Sequence, residues 1–260
     1  MAKLGTKFNH LRKNEILVPH LNIYFARGQF PDEIPLVVKP NKEQDNAFHP
    51  SSSLKCSREI YAAQTGDVVV RPHTAEQQLN FVIGHMYHEL IQWVLVEGLG
   101  FTSWDMIEKE YDFGWDKEKN DFDGKLVTPN GNPYRIRGFS DIARCEIPNR
   151  GTYLVDLKTM NSRLFAQDSL PISTMEKYES QVKHYLEFEG LDEAIILVVS
   201  KDSPHRFREI LVQRDSDHVE RNVDRLEGVV DAIAAGVLPD CTCLDPSTCP
   251  TRNLYDISYS

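Results

Sequence analysis

Two aspartates and a lysine in consecutive strand-like runs are the residues of this 260-residue chain that most directly indicate chemistry. Asp141 lies in the first run, Tyr134–Ile147, and Asp156 and Lys158 lie in the second, Thr152–Thr159. Because side chains alternate along a strand, Asp156 and Lys158 point to the same side. A single strand aspartate is ordinarily an edge residue in a surface ion pair, but aspartate is disfavoured in strands and here it occurs in two neighbouring ones. Paired carboxylates suit Mg²⁺ or Mn²⁺, and an adjacent lysine can stabilise a charged transition state.

Two helix-like segments carry further candidate residues at a spacing that places them on one helix face. In the first segment Gly84 precedes His88 by four positions, and the glycine is expected to let another backbone approach the imidazole closely. In the second segment Gln181 precedes Tyr185 by four positions. Each pair has a simpler explanation when taken alone, since His88 could be a hydrogen-bonded helix histidine and Tyr185 could be a core residue.

The elements around these residues predict a mixed sheet flanked by helices, which is an α/β fold. Thr74 and Gln77 form a capping-box pattern, which predicts a helix that continues towards Gly98. The polar loop at 148–151 predicts a hairpin between the two strand-like runs. Further helices are expected near 54–66, 173–190 and 216–235, and further strands near 194–200 and 207–214. Residues 1–50 are expected to be an irregular N-terminal extension and 51–260 a single domain, because prolines interrupt the first segment at positions 19, 31, 35, 40 and 50.

The cysteines indicate ligation of a metal or a cluster. There are five cysteines, an odd number, and three of them crowd into the nine residues 241–249. This spacing favours a metal or cluster site over a disulfide framework. Cys145, inside the first strand-like run, is expected to be a free buried thiol.

The order of four motifs resembles the RecB-like branch of the PD-(D/E)xK nuclease superfamily, which includes the CRISPR-associated Cas-four exonucleases and the AddB nuclease domain. The motifs are Gly84-x3-His88, Gly138-Phe139-Ser140-Asp141, Asp156-x-Lys158 and Gln181-x3-Tyr185, and the resemblance covers roughly residues 48–250. It implies a restriction-endonuclease-like core with a mixed β-sheet flanked by helices. It also implies that a divalent metal is bound by His88, Asp141, Asp156 and the backbone carbonyl of Leu157. Lys158 would then be the catalytic lysine, and Gln181 and Tyr185 would organise the site or contact the DNA strand. Glu108 and Glu110 precede this core, and neither is assigned.

The resemblance extends to the cysteines. Several members hold a [4Fe–4S] cluster with one cysteine before the nuclease core and three after it. That order is matched here by Cys56, Cys241, Cys243 and Cys249, and such a cluster would join the N- and C-terminal segments. The tail reads C-x-C-x5-C, one residue shorter than the C-x2-C-x5-C usual in the family. A zinc ion bound by the same four cysteines is the alternative, and unligated thiols are the third possibility.

The function implied is that of an Mg²⁺- or Mn²⁺-dependent deoxyribonuclease, an exonuclease that hydrolyses single-stranded DNA or DNA ends. Repair, recombination or phage DNA processing would be its setting, with recombination, helicase or CRISPR-type proteins as candidate partners. A structure-specific endonuclease acting on DNA or RNA is one alternative. A non-catalytic DNA-binding module with a structural metal site is another.

The charge distribution bears on a DNA substrate. The formal net charge of −10 opposes binding to a polyanion when the chain is taken as a whole. Residues 105–123 hold eight acids and three lysines, however, whereas residues 134–165 hold six basic residues and three acids. No apolar run approaches the ~18 residues that cross a bilayer, and the first residues lack the apolar core of a signal peptide. A cytoplasmic protein without a membrane partner is expected, in a bacterium or in the host cell of a virus.

Overall fold

The structure, a computed structural model, describes residues 15–28, 46–67, 73–166, 172–202, 206–243, 245 and 249–255. Its helices are α1 (Val18–Ala26), α2 (Ser57–Thr65), α3 (Ala75–Trp93), α4 (Ser162–Phe165), α5 (Ile172–Glu189) and α6 (Ser216–Ala235). Its strands are β1 (Ile107–Phe113), β2 (Trp115–Asp116), β3 (Asp121–Phe122), β4 (Ile136–Ile147), β5 (Gly151–Met160), β6 (Glu193–Ser200) and β7 (Phe207–Gln213). Short 3-10 turns occur at Pro50–Ser52 and Trp104–Met106.

Five of the strands form one mixed sheet in the order β1-β4-β5-β6-β7, and β2 and β3 form a separate small ribbon. Neighbours in the large sheet are antiparallel except β5 and β6, which are parallel and are connected through α4 and α5. A parallel pair needs such a crossover, whereas β4 and β5 are joined by the tight turn predicted from the sequence. The expected mixed sheet flanked by helices is therefore confirmed. No helix in the described ranges is both long and apolar enough to span a membrane.

The two faces of the sheet are covered by different helices. On one face, Val155 and Leu157 of β5 belong to the same buried cluster as Ile91 of α3. On the other face, Leu154 of β5 is clustered with Val182 of α5. Because successive strand residues face opposite ways, β5 is buried on both sides and holds its polar residues between the α3 and α5 layers.

Local sequence signals set the helix boundaries. Thr74 accepts a hydrogen bond from the Gln77 backbone N–H at 3.2 Å, and the Gln77 side chain accepts one from the Thr74 N–H at 2.9 Å, so the predicted capping box is present. After Trp93 the chain continues as a π-helical turn, Val94–Gly98, which ends at the glycine expected to stop the helix. The helix expected near 54–66 begins only at Ser57, where Cys56 is the N-cap.

The expectation of an irregular N-terminal segment is wrong for residues 18–26, which form α1. Pro19 lies in the first turn of this helix, where its missing N–H has no partner to lose, so it does not break the helix. Leu17 and Leu21 are fully buried in the core cluster on the α3 face. The prolines at positions 31, 35 and 40 lie outside the described residues.

The first turn of α1 is held by a carboxylate from β7. Glu209 accepts hydrogen bonds from the backbone N–H groups of Ile16, Leu17 and Val18. Val18 is the first helical residue and Leu17 is the N-cap, so these two N–H groups belong to a helix start that leaves them without intrahelical partners, and a negative charge there is favoured by the helix dipole. Glu209 therefore ties α1 to the edge of the sheet.

Glu209→Gln is expected to lower the free energy of unfolding by about 1–3 kcal/mol, because hydrogen bonds to a charged acceptor are replaced by weaker neutral ones. Urea denaturation of the two proteins measures the difference. Glu118→Gln, at an exposed position in the turn after β2, is the matched control and is expected to change stability by less than about 0.5 kcal/mol. Equal midpoints for Glu209→Gln and the wild type would show that this cap does not stabilise α1.

Candidate active site

The site predicted from the sequence lies where β4 and β5 separate. The β4–β5 ladder ends at the pair Ile142–Val155, beside an irregularity in β4. Beyond it, the Leu157 N–H donates to the side chain of Asp141, at 2.7 Å from Oδ2. The Asp141 carbonyl accepts a hydrogen bond from the buried Gln92 side chain at 3.2 Å. Side chains thus satisfy backbone groups that a continuous ladder would have paired, and Asp141 lies in the opening.

His88 reaches this opening from α3. Its Nδ1 lies 3.4 Å from Asp141 Oδ1. A Cβ at Gly84 would lie 3.0 Å from Thr159 Oγ1, so glycine lets α3 lie close to β5, although the group it admits is a side-chain hydroxyl rather than a backbone. Burial alone would lower the pKa of His88, but the Asp141 carboxylate raises it above its usual value. Burial likewise opposes ionisation of Asp141, yet His88, Lys158 and the Leu157 N–H together lower the pKa of Asp141 to about 2.

Asp156 and Lys158 form a buried ion pair on the α5 side of β5. Lys158 Nζ lies 2.8 Å from Asp156 Oδ2, and Asp156 is only 1% exposed. Despite this contact, Oδ2 accepts no hydrogen bond of acceptable geometry from the described residues. Burial raises the pKa of Asp156 to about 6, with Lys158 opposing the rise and Asp141 adding to it. Asp156 is therefore a carboxylate whose charge is incompletely compensated by the protein.

Gln181 and Tyr185 continue this chain of contacts from α5. Lys158 Nζ donates to Gln181 Oε1 at 3.5 Å, and Gln181 Nε2 donates to the Tyr185 hydroxyl at 3.4 Å. Tyr185 is 2% exposed and its ring stacks on Tyr111 with centroids 5.5 Å apart. The core interpretation of Tyr185 is thus correct for its ring, while its hydroxyl belongs to the polar contacts of Lys158.

Gly138, in the second motif, is required by the packing around Tyr185. A Cβ at this position would lie 2.8 Å from Tyr185 Cε1 and 3.1 Å from Pro50 Cδ. Any larger residue would push α5 or the Pro50 turn away from β4. The glycine therefore keeps Gln181 and Tyr185 at their distance from Asp141 and Asp156.

The donor groups at the opening fit a divalent cation in type and charge. Carboxylates are the ligands that Mg²⁺ and Mn²⁺ prefer, an imidazole is a ligand of divalent transition metals, and the buried Asp156 oxygen that makes an ion pair but no hydrogen bond of good geometry could also contact a metal cation. The Leu157 N–H donates to Asp141. A ligand role for the Leu157 carbonyl is implied only by the family resemblance. The side-chain ligand atoms of His88, Asp141 and Asp156 are not all within 4.8 Å of one another. Two other sets of possible metal ligands in the described ranges do meet this distance.

The first of these groups combines His85, Glu89 and Glu108, whose donor atoms lie within 4.8 Å of one another. His85 Nε2 is 3.3 Å from Glu89 Oε1 on α3. Glu108, with φ of 47°, falls between the β1–β4 pairs Ile107–Ile142 and Lys109–Ser140, which places it opposite Asp141. The spacing of four between His85 and Glu89 was visible in the sequence, but the approach of Glu108 depends on strand register. Glu110, the other unassigned acid, instead pairs with Arg137 and Lys117 at 2.8 Å each.

The second group is the set of four cysteines predicted from the sequence. The sulfurs of Cys56, Cys241, Cys243 and Cys249 lie within 4.8 Å of one another. Cys56 Sγ is 3.7 Å from that of Cys241 and 3.9 Å from that of Cys249. Burial opposes ionisation of Cys56, but hydrogen bonds from the backbone of Thr242 and Arg58 and from the neighbouring thiols lower its pKa to about 6. A lowered thiol pKa favours the thiolate that binds metals.

Two of the sulfur separations, 3.7 and 3.9 Å, match those around a single tetrahedral ion. With a Zn–S bond of about 2.3 Å, the sulfurs of a zinc site with four thiolate ligands are about 3.8 Å apart. In a [4Fe–4S] cluster each thiolate binds a different iron at a corner of the cube, so the sulfurs are spread more widely. Cys145 lies apart from the group, and burial raises its pKa to about 12, as expected for a free core thiol.

No protein-family model and no curated protein sequence matches the chain. Among solved structures, it is similar to the crystal structure of SSO0001, with 15% identity, a TM-score of 0.47 and coverage of 93% of this chain and 96% of that one. A phage-related exonuclease from Haemophilus somnus 129PT gives 14% identity, a TM-score of 0.47 and coverage of 73% and 96%. An alkaline exonuclease, LHK-Exo, from Laribacter hongkongensis gives 9% identity, a TM-score of 0.34 and coverage of 74% and 89%. Because these similarities are weak, the function rests on the chain's own residues.

Proposed function

We propose that this protein is a metal-dependent nuclease that hydrolyses phosphodiester bonds in DNA. The observation that carries the proposal is the meeting of Asp141, Asp156 and Lys158 with His88 at a gap between two strands. Asp156 is buried, and its ion pair with Lys158 at 2.8 Å offsets the cost of burying its charge only in part, because the pKa of Asp156 is still raised to about 6. A buried ion pair alone needs neither His88 nor Asp141 beside it, whereas a site for a cation and a phosphate uses all four residues.

Each residue of the site has a role that follows from its contacts. His88, Asp141, Asp156 and the Leu157 carbonyl would hold the divalent ion, which supplies Lewis-acid stabilisation of the phosphate and a more acidic bound water. Lys158, whose pKa is raised by Asp156 and Asp141 despite its burial, stays protonated and would stabilise negative charge in the transition state. The Gln181 amide oxygen would orient the lysine, and the Tyr185 hydroxyl would orient the amide.

The charges around the site indicate modest electrostatic attraction for DNA. The basic excess counted over residues 134–165 is reduced in the structure, because several of its arginines pair with acids outside that range. The pairs are Arg135 with Asp112 at 2.7 Å, Arg137 with Glu110 at 2.8 Å and Arg144 with Glu189 at 3.1 Å. Binding that depends on few unpaired cations should decrease with salt less steeply than binding by a strongly basic groove.

We further propose that the enzyme is an exonuclease acting on single-stranded DNA or on DNA ends, as the motif order of the RecB-like branch implies. The decisive pair of substrates is a linear and a circular single-stranded DNA of the same sequence. In Mg²⁺ or Mn²⁺, the linear form is expected to be degraded to short products while the circle stays intact. Cutting of the circle would show that the enzyme is an endonuclease rather than an exonuclease. If neither form were cut, the nuclease proposal would be contradicted.

The four cysteines are proposed to hold a structural metal centre that fastens the C-terminal segment to α2. Ser57 donates its N–H to Thr242 Oγ1 at 3.0 Å and Arg58 Nε donates to the Pro239 carbonyl at 2.9 Å, so the two segments already meet beside the sulfurs. The order of the cysteines along the chain supports a [4Fe–4S] cluster, and the sulfur separations support a single zinc ion. Iron with labile sulfide in the purified protein would identify the [4Fe–4S] cluster. Stoichiometric zinc without iron would identify the single zinc ion.

A further inference from the structure

Three partly exposed side chains beside the proposed active site have ligand atoms close enough together to bind one metal ion. They are His85 and Glu89 of α3 and Glu108 of β1, whose ligand atoms all lie within 4.8 Å of one another. The side chains of His85 and Glu89 are 27% and 13% exposed, so a cation can reach them from solvent. None of the three is among the ligands proposed above for the catalytic ion.

The spacing of these ligand atoms suits a six-coordinate ion. In an octahedral site with bonds of about 2.1 Å, neighbouring ligand atoms are about 3.0 Å apart and opposite ones about 4.2 Å apart. His85 Nε2 lies 3.3 Å from Glu89 Oε1, which is close to the first separation, and the 4.8 Å that bounds the group is close to the second. Small side-chain movements would therefore bring all three groups to one ion, with water at the remaining positions.

The chemistry of the three ligands favours a divalent transition metal, and Mn²⁺ matches it best. Two ionised carboxylates carry two negative charges, which a divalent ion balances, and neighbouring carboxylates repel each other when no cation lies between them. Carboxylates suit both Mg²⁺ and Mn²⁺, whereas imidazole is a ligand of transition metals. A set of one histidine and two glutamates should therefore bind Mn²⁺ more tightly than Mg²⁺.

The position of the group connects it to the proposed active site through the same two elements. On α3, His85 precedes the proposed ligand His88 by three residues, about 4.5 Å along the helix axis. Across the β1–β4 ladder, Glu108 falls opposite Asp141, between the pairs Ile107–Ile142 and Lys109–Ser140. An ion bound by this group would therefore lie beside the proposed catalytic ion, on the side of β1.

A bound cation at this place would supply positive charge that the protein itself provides only sparingly. The chain has a formal net charge of −10, and Arg137 and Arg144 of β4 are already paired with glutamates at 2.8 and 3.1 Å. A DNA strand, in contrast, brings one negative charge with each phosphate. A divalent ion next to the proposed active site would attract the phosphate that neighbours the reacting one.

We propose that His85, Glu89 and Glu108 bind a second divalent cation, Mn²⁺ in preference to Mg²⁺, beside the proposed catalytic ion. Its role is to hold a phosphate of the DNA strand next to the one that is cleaved, and this role rests on the nuclease function proposed above. Binding of the ion itself does not depend on that function, so it is tested without DNA.

The test is a titration of the full-length protein with Mn²⁺, followed by electron paramagnetic resonance of the free ion. The protein keeps the metal of its cysteine site, because thiolates select softer ions than Mn²⁺. The wild type is expected to bind two Mn²⁺ ions, Glu89→Gln and Asp156→Asn one each, and the double variant none. Mg²⁺ should compete for the ion that Glu89→Gln loses at least about tenfold more weakly than Mn²⁺ does. Equal Mn²⁺ binding by Glu89→Gln and the wild type would overturn the proposal.

Two further variants separate loss of the ion from loss of the fold. Glu108→Asn removes the third ligand, and asparagine tolerates the positive φ of 47° at this position, so β1 should keep its conformation while one ion is lost. Glu76→Gln, in the exposed first turn of α3, is the matched control and should bind two ions. Thermal melts without metal should agree for all these proteins. Two bound ions in a folded Glu108→Asn would likewise exclude the site.

A second arm tests the role of the ion in DNA binding. Fluorescence anisotropy of a labelled single-stranded oligonucleotide is measured with Asp156→Asn, which is expected not to cleave, with and without Mn²⁺. The ion should tighten binding by about tenfold, and adding Glu89→Gln to this variant should abolish the effect. An affinity that does not respond to Mn²⁺ would overturn the role at the phosphate. A second Mn²⁺ site in a wild type that cleaves no DNA would refute the proposed function and leave the metal site standing.

Discussion

Replacing Lys158 with methionine is expected to lower the rate of DNA cleavage by about 10²–10³-fold or more, the usual effect of removing one group that stabilises transition-state charge. The protein should still fold, because Asp156, whose pKa burial already raises, would take up a proton and remain buried as a neutral acid. Methionine matches the length of the lysine stem, so the contact with α5 is retained. Single-turnover cleavage of an end-labelled oligonucleotide, measured beside a thermal melt, separates the loss of rate from any loss of fold.

Lys183→Met is the matched control for this variant. Lys183 lies on α5, its side chain has the same 18% exposure as that of Lys158, and it also pairs with an aspartate, Asp215, at 2.9 Å. Its removal is expected to leave the cleavage rate within about twofold of the wild type, since it touches none of the proposed site. Comparable rates for Lys158→Met and Lys183→Met would mean that Lys158 has no part in the reaction.

Cys56→Ser is expected to release the metal from the cysteine site and to lower the free energy of unfolding by at least about 2 kcal/mol, since structural zinc in zinc-finger peptides binds with about 10–16 kcal/mol. Serine is a good N-cap, so the start of α2 should be preserved and the loss should come from the missing thiolate. Metal analysis of anaerobically purified protein, followed by thermal unfolding, measures both effects. Protease cleavage after about residue 238 should also become faster, because the C-terminal segment loses its attachment to α2.

Cys145→Ala provides the comparison for the cysteine variant. Cys145 is fully buried but lies outside the group of four, so its replacement should leave the metal content unchanged. Wild-type protein without iron or zinc, or equal metal content in Cys56→Ser and the wild type, would contradict a ligand role for the four thiolates. Iron with labile sulfide in the wild type would identify the cluster, and zinc alone the tetrahedral ion.

Much of the fold was predictable because its signals are local. The capping box of Thr74 and Gln77 marks the start of α3, and the polar turn at 148–151 joins β4 to β5 as expected. Where prediction failed, a neighbour in space decided the outcome. Pro19 reads as a helix breaker in the sequence, but α1 forms with Pro19 in its first turn, and Glu209 binds the N–H groups of Val18 and of the two residues before it, 191–193 residues away.

The candidate site was likewise predictable from the sequence only in part. Motif order indicated His88, Asp141, Asp156, Lys158 and the Gln181–Tyr185 pair, and the structure brings these residues into one connected set. Glu108 could not be chosen over Glu110, because only the β1–β4 register places Glu108 opposite Asp141 and beside His85. The sequence gives no signal for the burial of His184 without hydrogen-bond partners, because that burial arises from the packing of α5 against α6 and the segment at 47–53. Spacing in the sequence shows which side chains share one face of a helix or strand. It does not show which side chains of different elements meet, and cavities form between elements.

The most direct test of the account is cleavage of an end-labelled single-stranded oligonucleotide by the wild type and by Asp156→Asn, each with Mg²⁺ or Mn²⁺ and with a chelator. Asparagine keeps the shape of Asp156 but removes the charge that would hold the ion, and Asp192→Asn, at an exposed aspartate, serves as the control. The account predicts that the wild type and Asp192→Asn cleave only when the metal is added, and that Asp156→Asn folds normally but does not cleave. Cleavage by Asp156→Asn at the wild-type rate, or by the wild type in the chelator, would contradict it.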